Sequence, residues 1–248
     1  MKAYSIGLVS TLFLLGCGGG DGDSSANGSG TTTPTTGENS SACFNSDVYQ
    51  IGTEVVEEYA LMTNGIDIGT YTSREVVART LSYEGYNNVL EIENSDSLDG
   101  SGSAFVVVDD AAKSIRTLGS LTAEGVDIKY KPSGLLLEYN LDMGETREYS
   151  PVTVLEDGVD VGTIEASMTY LKNETVTVPA GTFDTCLFSL TMDVVNADGT
   201  TAEAVFTQHF GVGNSLIIKE TVVSTLSTGE AITLSEELVS ATINGNAI

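Results

Sequence analysis

A single histidine, His209, bounds what this 248-residue chain can do with imidazole chemistry. One His excludes a multi-histidine metal centre and leaves no second imidazole for a catalytic relay. His209 is in phase with Val205 and Thr207 and stands beside Phe210, which reads as an ordinary strand position. Carboxylates are the next resource. Glu57-Glu58, Asp109-Asp110 and Glu236-Glu237 are adjacent pairs of the kind that could share acid–base work. Neighbours along a strand point to opposite faces, however, so these pairs read as strand caps or solvated edges. Gly211-Val212-Gly213 lacks the third glycine, the following helix and the basic residue of a phosphate loop, and reads as a β-turn. No Gly-x-Ser-x-Gly elbow accompanies the many serines. Asp21-Gly22-Asp23 lacks the later ligands and closing Glu of a calcium loop. The expectation is a protein that is not an enzyme, with no catalytic residue, no metal ligand and no cofactor.

Charge narrows the partners. Ten Lys and Arg against 35 Asp and Glu give a net charge of −25. Such a surface repels nucleic acid and anionic lipid headgroups, so neither is an expected partner. The acidity is read as a solubility device, and bound calcium is not required by any motif.

The first residues carry an address. Lys2 supplies a positive start, Ile6 to Leu15 a short apolar core, and small Gly16 precedes Cys17. The apolar run is too short for an ordinary membrane-spanning helix and sits where a secretory signal belongs. Leu14-Leu15-Gly16-Cys17 resembles a bacterial lipobox. That resemblance implies a signal peptide over 1–16, cleavage before Cys17 and acylation of Cys17, palmitate being one such chain. Two or more acyl chains make a stable membrane anchor. Gly18 rather than Asp after Cys17 implies, by analogy with enterobacterial lipoproteins, a place in the outer membrane. Residues 17–42 read as the lipid-anchored linker: 17 of the 25 residues from Gly18 to Ala42 are Gly, Ser or Thr. Such a segment buries too little apolar surface to fold, and as a coil it spans roughly 25–30 Å.

The elements that would position any site are strands. In Glu156–Val194, Asp157-Gly158 is a hairpin signal because the favoured two-residue turn needs positive φ at both positions. Ile164, Ala166, Met168 and Tyr170 then alternate with polar residues. Beyond Pro179-Ala180-Gly181, so do Cys186, Phe188, Leu190, Met192 and Val194. This is the period of half-buried antiparallel strands. The unit recurs: Asn64-Gly65-Ile66-Asp67-Ile68-Gly69-Thr70 corresponds to Asp157-Gly158-Val159-Asp160-Val161-Gly162-Thr163 at an offset of 157 − 64 = 93. Ser46 to Met62 and Glu230 to Ile243 are compatible with a helix in places. Gly52 and Val55-Val56 argue against one in the first. The chain therefore reads as an all-β domain over 43–248, duplicated at about 46–140 and 141–248, with few helices.

Gly144 and Tyr149, followed by Val178-Pro179-Ala180-Gly181-Thr182-Phe183 and Cys186, resemble a motif of uncharacterised bacterial lipoproteins. That motif closes on an aromatic-Gly-Val-Gly strand, matched by Phe210-Gly211-Val212-Gly213. The resemblance covers roughly 140–222 and implies a LolA/LolB-like open β-barrel, a strongly curved antiparallel sheet, without an assigned activity. In an exported chain whose Cys17 is lipidated, Cys43 and Cys186 are the two remaining thiols, an even pair that invites a disulfide. A buried free thiol at Cys186, beside Phe188 and Leu190, is the alternative. Two functions remain open. One is a membrane-anchored, non-catalytic envelope lipoprotein that binds an apolar ligand or partner segment, lipid or protein. In that reading Ile164, Met168, Tyr170, Phe188, Leu190 and Met192 face the ligand. The other is a structural or interaction lipoprotein with a filled core and no ligand site.

Overall fold

The structure, a computed structural model, describes residues 39–248. The signal, Cys17, Asp21-Gly22-Asp23 and the linker up to residue 38 lie outside the described residues. Two short 3-10 turns, Ser40–Cys43 and Ser46–Tyr49, lead into an antiparallel meander. Its first run is β1 (Glu54–Thr63), β2 (Ile66–Tyr83), β3 (Tyr86–Asp96), β4 (Gly100–Asp109), β5 (Ser114–Leu121) and β6 (Asp127–Lys131). Two short strands follow, β7 (Leu135–Glu138) and β8 (Thr146–Glu148). A second run comprises β9 (Val152–Glu156), β10 (Val159–Val178), β11 (Gly181–Asn196), β12 (Thr201–Gly211), β13 (Ile217–Leu226) and β14 (Ala231–Ile243), with β15 (Asn246–Ala247) at its end. Glu230 to Ile243 is thus strand rather than helix, and Ser46 to Met62 divides between a 3-10 turn and β1.

The two runs join β6 to β9 on one side and β14 to β1 on the other, so the sheet closes into an uneven barrel. Full closure removes the exposed strand edges that an open sheet would leave. The same local devices recur in both runs. Asn64-Gly65 and Asp157-Gly158 form the β1–β2 and β9–β10 turns with all four φ values positive. Bulges at Ile68 and Val161 follow them, and a second bulge lies at Ala78 and at Leu171. The Gly52 N–H donates to the Val77 carbonyl and the Gly144 N–H to the Tyr170 carbonyl, each at 2.7 Å. Each bulge adds twist, which is what lets strands of 18 and 20 residues wrap the barrel.

The hairpins at the far ends of these long strands go separate ways. The β2–β3 arm lies on the outside, where Tyr83 stacks on Phe105 at 4.2 Å and Glu84 pairs with Lys129 and Lys131. The β10–β11 arm turns in: Val178 joins the core and the Ala180 N–H donates to the Leu238 carbonyl at 3.0 Å.

Residues 39–53 plug one end of the barrel. Ser40 is fully buried; its N–H donates to the Leu141 carbonyl, and its hydroxyl donates to the Tyr139 carbonyl and accepts from the Leu141 N–H. Asn39 bridges to Asp142. The linker boundary at 42 is therefore corrected: the fold begins by Asn39, because these four residues satisfy backbone groups that would otherwise be buried unpaired. Cys43 is joined to Cys186 on β11, with Cα atoms 6.1 Å apart. Phe44 packs on Tyr139, which meets Phe188 and Phe210 edge-on.

Candidate functional site

The six apolar residues expected to face a ligand are all core residues. Tyr170 pairs with Phe188 and Met168 with Leu190 across the β10–β11 ladder, and Ile164 and Met192 extend the same face. None is more than 4% exposed. They form one continuous cluster with Cys43, Phe44, Val48 and Tyr49 of the plug. The plug thus supplies the cover that an apolar sheet face requires.

His209 lies on the outer face of β12, with Nε2 3.0 Å from Glu174 Oε1. That carboxylate is held below its usual range chiefly by the Lys172 ammonium, against the opposing effect of burial, with a smaller lowering by the imidazole. Asp109 and Asp110 close the β4–β5 turn, one accepting from the Ala112 N–H and the other paired with Lys113. Gly211-Val212-Gly213 is the β12–β13 turn, and it grips the plug through the Gly213 N–H and the Ala42 carbonyl at 2.8 Å. Among the described residues no group of three or more His, Cys, Asp or Glu side chains is placed to hold a metal ion.

The interior also holds a polar row set among apolar core residues such as Val77, Val222 and Leu238, whereas the Glu pairs read from sequence as strand caps or edges. Glu57 on β1, Glu75 on β2, Glu220 on β13 and Glu236 on β14 all point into the barrel, with exposures of 2%, 1%, 6% and 9%. Glu57 and Glu236 therefore do not solvate edges. Only their neighbours turn outward, Glu58 toward Ser240 and Glu237 into an ion pair with Lys219. Register sets the row: Gln208 on β12 stands opposite Glu220, and Glu220 opposite Glu236. Tyr59 and Tyr71, themselves cross-strand partners, complete it. Tyr71 Oη donates to Glu236 Oε2 at 2.7 Å and Gln208 Nε2 to Glu220 Oε2 at 2.5 Å.

Tyr59 Oη lies 2.9 Å from both Glu57 Oε1 and the Ile217 carbonyl oxygen. A phenol has one proton and a carbonyl can only accept. Both contacts are satisfied together when Tyr59 donates to Ile217 and a protonated Glu57 donates to the phenol oxygen. Electrostatics point the same way. Burial pushes Glu57 well up, with the Glu75 charge adding to it against the Tyr59 hydrogen bond. Burial, then the charge of Glu236, lifts Glu220 to about 8. Burial also raises Glu236. No Lys or Arg among the described residues is buried, and the one buried His turns to Glu174. Glu57, Glu220 and Glu236, with no buried cation beside them, are tolerable in a low-dielectric interior only as largely neutral acids.

A signal for this row did exist in the sequence. Val55-Glu57-Tyr59-Leu61, Tyr71-Ser73-Glu75-Val77 and Ile218-Glu220-Val222 each place a Glu in the apolar phase of its strand. At the offset of 93, Tyr71, Ser73, Glu75 and Val77 correspond to Ile164, Ala166, Met168 and Tyr170, so the same strand positions are apolar in the second run. The fold does not require carboxyls there.

The sequence matches no family model and no curated protein sequence. Two solved structures are similar in shape. One is a candidate lipoprotein from Parabacteroides distasonis, 10% identical with a TM-score of 0.45, covering 78% of this chain and 96% of its own. The other is a candidate exported protein with a YmcC-like fold from Bacteroides fragilis, 15% identical with a TM-score of 0.47 and the same coverage.

Proposed function

We propose that this is a non-catalytic module of the bacterial cell envelope, anchored in the outer membrane through acylated Cys17, that works as a structural or interaction domain. The observation that carries this reading is the burial of Ile164, Met168, Tyr170, Phe188, Leu190 and Met192 in one core with the plug. Side chains that already cover one another offer an apolar ligand no face to bind. The leader and the Cys43–Cys186 bond, which suits an oxidising compartment, support the location.

Two measurements test it. Replacing Cys17 by Ala should move the protein from the detergent phase to the soluble periplasmic fraction; unchanged partitioning would remove the anchor from the proposal. A fluorescent fatty-acid analogue should show no saturable binding, and Met192→Asp should destabilise the domain by several kcal/mol by burying a charge. Saturable binding abolished by Met192→Asp in a still-folded protein would favour the apolar-ligand function instead.

A further inference from the structure

Closure of the barrel depends on the pairing of β14 with β1, the last long strand with the first. The polar row crosses this junction from the inside. The groups that face one another there are Glu57 and Tyr59 from β1, Tyr71 and Glu75 from β2, Gln208 from β12, Glu220 from β13 and Glu236 from β14. No buried cation is among them. The phenol of Tyr59 further ties β1 to β13, across β14, because it donates to the Ile217 carbonyl while accepting the proton of Glu57.

We infer that this junction is a proton-dependent latch, held shut while the interior glutamates carry protons and loosened as they ionise. Ionising Glu57 removes the only proton it can donate to Tyr59, so the phenol must abandon either Glu57 or Ile217. Ionising Glu220 and Glu236, directly opposed across β13 and β14, sets two like charges against each other in a desolvated interior. Each proton lost passes to solvent, and relief comes from letting water reach the carboxylates, in the proposed latch by a parting of β14 from β1 at the ring junction.

The direction with pH follows from linkage. The folded state binds these protons more tightly than the unfolded chain, whose carboxyls titrate near 4.5. Stability from this source is complete below that value and is lost as pH rises toward about 8. Surface carboxylates such as Glu84, Glu145 and Glu174, which their hydrogen-bond partners hold low, act in the opposite sense and at lower pH. A window from pH 5.5 to 8.5 lies above the titration of these surface carboxylates.

The test is hydrogen–deuterium exchange of the full-length lipidated chain in neutral detergent at pH 5.5, 7 and 8.5, corrected for intrinsic exchange. The opening constant of β1 and β14 amides should rise at least tenfold across the range, while amides of β4 and β11 change little. Glu220→Gln with Glu236→Gln should flatten that rise. If the double variant folds poorly, Glu220→Gln alone should at least halve its logarithmic slope, since Gln preserves a partner for Gln208. Glu58→Gln, outward on β1, should behave as wild type. A wild-type opening constant independent of pH would overturn the latch. So would a double variant as steep as wild type, or a loss of protection spread evenly around the ring.

Discussion

Phe188→Ala is expected to lower the unfolding free energy by about 3–5 kcal/mol, the range for truncating a fully buried aromatic side chain. Phe188 has no solvent exposure and sits where three parts of the chain meet. Its ring contacts Tyr170 of β10 at 5.4 Å, Phe210 of β12 at 5.7 Å and Tyr139 at 5.8 Å. Tyr139 in turn carries Phe44 of the plug at 5.8 Å. The cavity left by Ala cannot collapse readily, because its walls belong to a closed strand ring and to a plug tied to it by a disulfide. Chemical denaturation under oxidising conditions measures the loss. A cost below about 1.5 kcal/mol would mean that this cluster is loosely packed, and the case for a filled core would fail with it. Leu190→Ala, one pleat along the same face, should cost about 2–5 kcal/mol by the same mechanism.

Removing both Cys43 and Cys186, as the double Ala variant, should cost about 4–5 kcal/mol in the chain-entropy account of a cross-link enclosing a loop of this length. The expected consequence is local as well as global. Cys43 closes the first 3-10 turn, and Phe44, Val48 and Tyr49 follow it into the barrel. Without the cross-link, the plug keeps its apolar contacts and the hydrogen bonds of Asn39, Ser40, Ala42, Cys43, Asn45 and Gly52. Exchange of amides over residues 40–53 should therefore increase more than exchange in β11, whose ladders to β10 and β12 remain. Equal loosening of both would show that the plug and the barrel unfold as one unit. Dithiothreitol acting on the wild-type protein should reproduce the variant, and the variant should not respond to it.

Much of the local structure was written in short stretches of sequence. Asn64-Gly65 and Asp157-Gly158 specify their turns because few other dipeptides accept positive φ twice in succession. The alternation through Ile164–Tyr170 and Cys186–Val194 specifies strands with one buried face. Steric preference and period are properties of neighbours in the chain, so they can be read without knowing the fold.

The nature of the interior could not be read in this way. Whether Glu57 meets water or a core depends on what lies beyond it, and that is settled by the pairing of Glu57 with Ala241 and of Leu61 with Glu236, far apart in sequence. Alternation assigns a residue to a face; only ring closure decides that this face is enclosed. Ile164, Met168 and Phe188 show the same limit from the apolar side. Their period announces a face in need of cover, but not that residues 40–49, which begin where the linker reads as ending, fold back to provide it. Burial is a property of the assembled surface, because water is excluded by every surrounding element at once and by none of them alone.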